Sequence, residues 1–274
     1  MRCAARIPLT LTEMTRTTIA VVAWPSSAHR NGGLVQLVDA EVLCLQEVRA
    51  DPEQLGSVIE GLLPHEFVEF APCVEKGRNG VAILSRYPLQ QRADELPGFE
   101  GSGRFLSCVV ATPVGEVNVS NVYVPKGYAT PKNTDDPRDL AKAEFLEALT
   151  TELPVGPSLL CGDLNIAHSQ LDLRNWRGRI GYSGFRETER AVLDRWSADG
   201  WVDLVRREQG QTSGPYTWWS WRGKAFDNDV GWRIDYIWAS ADLAQRCSGT
   251  DVRRAPSYDE RWSDHAPVVA DFDD

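Results

Sequence analysis

The stretch EVNVSNVYVPKGYATPKNTDDPRDLAKAEFLEALTTELPVGPSLLCGDLNIAH, Glu116–His168, decides how the chain is built. Residues Glu116–Val124 alternate apolar and polar side chains, the period of a strand with one buried face. The polar loop PKGYATPKNTDDPRD follows, and a loop of that length commonly borders a site. Asp136 then offers an N-cap and Pro137 a first helical residue, so the spacing predicts a helix through DPRDLAKAEFLEALTTEL. SLLCGDL, Ser158–Leu164, is again an apolar strand, and polar Asp163 and Asn165 stand at its end.

Working outward, the same pattern recurs. Further strands are predicted at TIAVVA (Thr18–Ala23), EVLCLQE (Glu41–Glu47), HEFVEF (His65–Phe70), GVAILS (Gly80–Ser85) and FLSCVVAT (Phe105–Thr112). YTWWSW (Tyr216–Trp221), RIDYIWAS (Arg233–Ser240) and HAPVVADF (His265–Phe272) complete the set. DPEQLGSVIEGLL repeats the Asp-Pro helix start at Asp51 and Pro52, and ETERAVLDRWSADG is a third helix, stopped by Gly200. Many strands with interspersed helices fit an α/β fold of two packed sheets flanked by helices. No repeat or long linker divides the chain. A single domain is expected over residues 17–274, with residues 1–16 a disordered extension and Met14 an alternative start.

Composition narrows the function. With 42% hydrophobic and 25% charged residues in 274, the chain is ordinary globular material. No apolar run approaches the roughly 18 residues of a membrane span, and the first residues lack the apolar core of a secretory signal. A cytoplasmic protein without a membrane partner is expected. The cysteines Cys3, Cys44, Cys73, Cys108, Cys161 and Cys247 form no Cys-x-x-Cys pair, and three sit inside apolar strands, which reads as inert buried thiols. A net charge of -10 argues against general attraction to nucleic acid. It leaves room for a local basic rim, with candidates including Arg49, Arg78, Arg104, Lys126, Arg177 and Arg179.

The chemistry gathers where apolar strands end. Glu47 closes LCLQE, Asp163 and Asn165 close LLCGDLN, Asp235 sits inside WRIDYIW, and Asp264 and His265 precede the final strand. One carboxylate beside such apolar runs is commonly a structural hydrogen-bonder. Four of them with an Asn and a His point to a site, because burying each alone is costly unless it is paired or binds a cation. Oxygen donors of this kind suit Mg²⁺, with Mn²⁺ as a substitute.

LCLQE, NVYVPKG, GDLNIAH, FDNDVGWRIDYIWAS and SDHAPV together resemble the ordered motifs of the endonuclease/exonuclease/phosphatase superfamily. The GWRIDY block resembles its exonuclease III and abasic-site endonuclease branch, and the likeness covers nearly all the chain after Val42. The resemblance implies a four-layered α/β sandwich with the site at one end of two packed mixed sheets. It implies Glu47 as the main metal carboxylate, assisted by Asp264, with Asp163 and Asn165 aligning the attacking water, the phosphate and the metal. Tyr123 would stand beside the scissile phosphate, and His265, oriented by Asp235, would contact it. Whether Asp163 or His265 is the base stays open.

Trp218, Trp232 and Ile234 align with the family's apolar pocket for a flipped-out abasic sugar, which selects by fit. The competing reading of these three is core packing, which is the expectation for Trp221 and Trp238. Arg49 and Lys126 would meet DNA. The expected activity is therefore Mg²⁺-dependent hydrolysis at abasic sites and 3′ ends of duplex DNA, by a monomer. Two alternatives are a degenerate nuclease that binds DNA without cutting and a superfamily phosphatase acting on small phosphoesters. One departure stands out. Where the family carries two polar residues in its first strand, IAVVAWPSSA places Val21 and Ala23.

Overall fold

The predicted strands assemble into two six-stranded sheets in a computed structural model that describes residues 16–23, 38–59 and 66–273, without the side chains of 56–59. The expected extension lies outside these residues except for Arg16, which opens the first strand. In one sheet, β1 (Arg16–Ala23), β2 (Val42–Gln46), β3 (Phe67–Ala71) and β4 (Val81–Ser85) join β11 (Cys247–Val252) and β12 (Val268–Asp273). Their order is β11-β12-β1-β2-β4-β3. The other holds β5 (Leu89–Ala93), β6 (Phe105–Thr112), β7 (Gly115–Tyr123), β8 (Ser158–Asp163), β9 (Trp201–Asp203) and β10 (Asp235–Ser240). Here the order is β5-β6-β7-β8-β10-β9. Both sheets are mixed, with β1 parallel to β2 and β7 parallel to β8.

The alternating residues of both sheets interlock in one core. Ile19, Val21, Cys44, Ile83 and Val268 face Cys108, Val119, Leu159, Cys161 and Ile237 across it. On the outer face of the second sheet lie α2 (Pro137–Thr151) and α3 (Glu187–Ala198), which bury Phe145, Leu146, Leu149, Leu193 and Trp196 against Leu160, Tyr236 and Trp238. Each such side chain contributes about 1.5–3 kcal/mol on burial, enough to hold a helix that would be marginal alone. On the outer face of the first sheet, α1 (Pro52–Ile59) packs Leu55 against Ala20, Leu43 and Leu45. The result is the expected four-layered α/β sandwich. Short α4 (Leu204–Gln209) and α5 (Ala241–Gln245) add Leu204, Val205, Leu243 and Ala244 to the central core.

The helix starts follow the sequence. Asp136 accepts the Arg138 amide, and Asp51 accepts the Gln54 amide at 2.9 Å. Helix α1 is traced to Ile59, and the rest of the predicted stretch lies outside the described residues. Strands β5, β9 and β11 were not predicted. They are edges or near-edges of their sheets and half in solvent, so they lack an apolar period. YTWWSW, predicted as a strand, makes isolated bridges from Trp218 to Trp232 and His265 instead. The last strand begins at Val268 and not at His265, since Pro267 has no N–H for a ladder. Trp238 is core as expected, whereas Trp221 is 44% exposed, stacked edge-on against Tyr258. Among the described residues, no helix is long and apolar enough to cross a membrane.

Candidate active site

Strand register assembles the site. At the ends of three neighbouring strands, Tyr123 of β7 pairs with Asp163 of β8, which pairs with Asp235 of β10. Side chains at paired positions share a face, so three chain segments distant in sequence present a phenol and two carboxylates in a row. Gly162 makes this spacing possible. A Cβ there would lie 1.9 Å from the Val122 carbonyl, and its φ of +141° is one that L side chains avoid. The opposing sheet adds Glu47 just past β2 and His265 ahead of β12. Glu47 and Asn165 both hold left-handed backbone, φ +58° and +50°. Such conformations persist only where surrounding contacts fix them, and they concentrate at functional sites.

His265 is buried, and its Nδ1 donates to both oxygens of Asp235, at 3.0 and 2.9 Å. Burial opposes the charged imidazole, but the charge and hydrogen bond of Asp235 outweigh it and lift His265 to about 10. Asp163 is only 2% exposed. Burial and then the Asp235 charge raise its carboxyl to about 8, against the lowering effects of His265 and the Asn165 amide. That amide donates to Asp163 Oδ1 at 2.8 Å, and the Asn165 side-chain nitrogen reaches Asp163 Oδ2 at 3.2 Å and the Val124 carbonyl at 3.0 Å. Tyr123 donates to Glu47 Oε1 at 2.8 Å, and burial followed by the Glu47 and Asp163 charges pushes its phenol above the usual range.

These groups floor a cleft of about 450 Å³. Its walls include Trp218, Trp232 and Ile234, with the two indoles edge to face at 6.5 Å. Lys126 lies 5.9 Å over Trp218 and Arg179 lies 5.8 Å over Trp232, two cations at the mouth. Every residue singled out for the site lines this cleft except Asp235, which sits behind His265. Two of them have partners that the sequence did not suggest. Arg49 is ion-paired with Glu47. Asp264, expected at the metal, accepts the Trp218 indole N–H through Oδ2 at 3.0 Å, so it fixes an aromatic wall.

The first-strand departure is visible in the packing. Val21 is buried in the apolar core between the sheets, and Ala23 pairs with Gln46, whose buried Oε1 has no hydrogen-bond partner among the described residues. Val21→Asn is therefore expected to lower stability by about 1–3 kcal/mol, the cost of an amide buried among apolar groups. Ala23→Asn, beside an acceptor lacking a donor, is expected to be much milder. Urea denaturation of both variants checks this, and equal losses would contradict it.

The donor chemistry fits a hard divalent cation. Glu47, Asp163, Asn165 and Asp264, which carry oxygen donors, all line the cleft. One ligand atom each from Asp163, Asp235 and His265 also lie within 4.8 Å of one another. His265, however, is kept charged by Asp235 and has no lone pair to give, so the carboxylates are the better ligands. Three supporting residues escaped the sequence reading of the site. Arg104, read there only as a possible rim cation, lies 4.6 Å over the Tyr123 ring and donates to its carbonyl at 2.9 Å. Arg233 and Lys142 are wholly buried ions. Lys142 did carry a signal: it shares a helical face with Phe145, Leu146 and Leu149.

Comparison with known proteins agrees with this fold. The family model described as "Endonuclease/Exonuclease/phosphatase family" matches residues 21–265. An exodeoxyribonuclease of Bacillus subtilis is 32% identical over 235 residues, 84% of this chain and 87% of its own. Among solved structures, an AP endonuclease from Archaeoglobus fulgidus superposes with a TM-score of 0.81 at 26% identity, covering 94% of this chain and 100% of that one. A 3′ phosphatase from Neisseria bound to a product DNA hairpin gives a TM-score of 0.77 at 27% identity, over 94% and 99% of the two chains.

Proposed function

The chain belongs to the endonuclease/exonuclease/phosphatase family, and from that membership we propose that it is a Mg²⁺-dependent DNA repair nuclease of exonuclease III type. It hydrolyses phosphodiester bonds at abasic sites and at blocked or free 3′ ends of duplex DNA. The observation that carries this reading is the row Tyr123, Asp163, Asp235 with His265, set under a cleft walled by Trp218, Trp232 and Ile234. The relatives and neighbours, an exodeoxyribonuclease, an AP endonuclease and a DNA-bound 3′ phosphatase, support the substrate class. Residues 17–274 act as one domain and as a monomer, in the cytoplasm.

The residues divide the work. Asp163, raised toward neutrality and held by Asn165, orients the attacking water and takes its proton. His265, charged by its pairing with Asp235, hydrogen-bonds through Nε2 to the oxygens where negative charge grows. Tyr123, fixed by Glu47 and Arg104, stands beside the scissile phosphate. Bound Mg²⁺, held by Glu47 with Asp163 and Asn165, would stabilise phosphoryl charge as a Lewis acid. Lys126, Arg49 and Arg179 grip flanking phosphates, and the apolar walls accept a sugar without its base.

A duplex with one abasic-site analogue, titrated with Mg²⁺ and with Mn²⁺ beside a small phosphoester, tests the proposal. Metal-dependent incision with the phosphoester poorly cleaved is the expected result. Tight binding without incision at any metal level would identify a DNA-binding relative, and preference for the small ester a phosphatase.

A further inference from the structure

Behind the site, on the outer side of the second sheet, lies an ion pair whose two residues do not themselves line the cleft. The Lys142 side chain is 1% exposed, and its Nζ lies 2.8 Å from Glu189 Oε1. The same Nζ donates to the Asn165 carbonyl at 2.8 Å. Asn165 is the left-handed residue whose amide holds Asp163. Glu189 turns to the opposite wall. Its Oε1 accepts Ser183 Oγ at 3.0 Å and its Oε2 accepts the amides of Gly184 at 2.8 Å and Arg186 at 3.0 Å. Gly184 packs so closely that a Cβ on it would lie 3.1 Å from both the Asn165 carbonyl and the Trp232 ring. Its own carbonyl accepts the Ala167 amide at 2.8 Å.

We propose that Lys142, with Glu189, is a positioning residue for the reaction, a buried cation that locks the Asp163–Asn165 strand end to the Gly184–Trp232 wall. Burying an ammonium among Phe145, Leu146 and Leu149 is a poor way to gain stability, because apolar replacements of buried ion pairs are often neutral or better. Its value lies in direction. An apolar side chain would fill the space but could not hold the Asn165 carbonyl, and the left-handed turn there depends on such contacts. Asp139, one turn earlier on α2, does the same for the neighbouring loop by accepting the amides of Tyr128 and Ala129 at 2.7 and 2.6 Å.

The kinetic part of the inference rests on the nuclease reading, whereas the structural part does not, so the test has two arms. In Lys142→Met, kcat is expected to fall about 10–100-fold, the scale of a small misplacement of reacting groups. KM should stay within about threefold, since the cations Lys126 and Arg179 at the mouth are untouched, and Lys142→Arg should restore most of the rate. In the protein without DNA, hydrogen exchange at the amides of Asn165, Ala167 and Gly184 should accelerate while those of Phe145–Leu149 stay protected. A folded Lys142→Met with unchanged kcat and unchanged local exchange would overturn the proposal, as would a uniform rise in exchange, which marks lost stability alone. Should that variant not fold, Glu189→Gln must show faster exchange at Gly184, and no change there overturns it equally. If the wild type does not cleave yet the exchange pattern appears, the nuclease reading fails and the positioning role stands.

Discussion

Asp163→Asn is expected to slow single-turnover incision of an abasic duplex by about 10²–10⁴-fold, the range spanned by general acid–base groups, with duplex affinity nearly unchanged. The carboxylate stands between Tyr123 and Asp235 by strand register and receives two bonds from Asn165. An amide of the same shape keeps the packing but cannot take a proton from water. In the proposed mechanism DNA is gripped elsewhere, by Lys126, Arg49 and Arg179, so binding and cleavage should separate. Measuring affinity by anisotropy and rate by quenched flow checks both. Turnover at the wild-type rate would remove Asp163 from the mechanism.

The second large effect concerns the floor under the pocket. Arg233, fully buried between Trp232 and Ile234, donates to Asp172 Oδ1 at 2.6 Å and to both oxygens of Asp203 at 3.0 and 2.7 Å. Arg206 also bonds Asp172, at 2.5 Å. Arg233→Met is expected to cost about 3–5 kcal/mol, since it takes the ion-pair partner from buried Asp203 and leaves buried Asp172 with Arg206 alone. Circular dichroism during urea unfolding would show it, and a loss too small to resolve would mean that water replaces the guanidinium. The network also sets an acid limit. Burial alone would raise the Asp172 carboxyl, but the charges and bonds of Arg233 and Arg206 hold it well below the usual carboxylate range. On acidification the unfolded chain then takes up a proton near pH ~4 that the native state refuses, so stability present above that pH is lost below it. Asp172→Asn should flatten this acid slope while lowering stability at neutral pH.

Much of the molecule was legible in the chain because the relevant forces are local. Central strands alternate or run apolar, so VLCLQ, FLSCVVAT and SLLCGD announced themselves. Edge strands such as LQQRA did not, because half their surface faces water and no period marks them. Glu47, Asp163, Asn165, Asp235 and His265 stood out for a related reason: polar groups at the ends of buried strands must have a purpose or a partner. Arg233 and Lys142 did not stand out in this way, although their neighbours in sequence are apolar.

The sequence by itself thus determined the layers, the helix caps and the residues that meet in the cleft. Only the tertiary structure decided who partners whom. Arg49 lies on Glu47, Asp264 holds Trp218 at the edge of the cleft, and Lys142 reaches from its helix to the Asn165 carbonyl. Propensity and period act along a few residues of chain. An ion pair or a register match acts between segments far apart in the chain, as between the first strand and the last, and no local pattern encodes it.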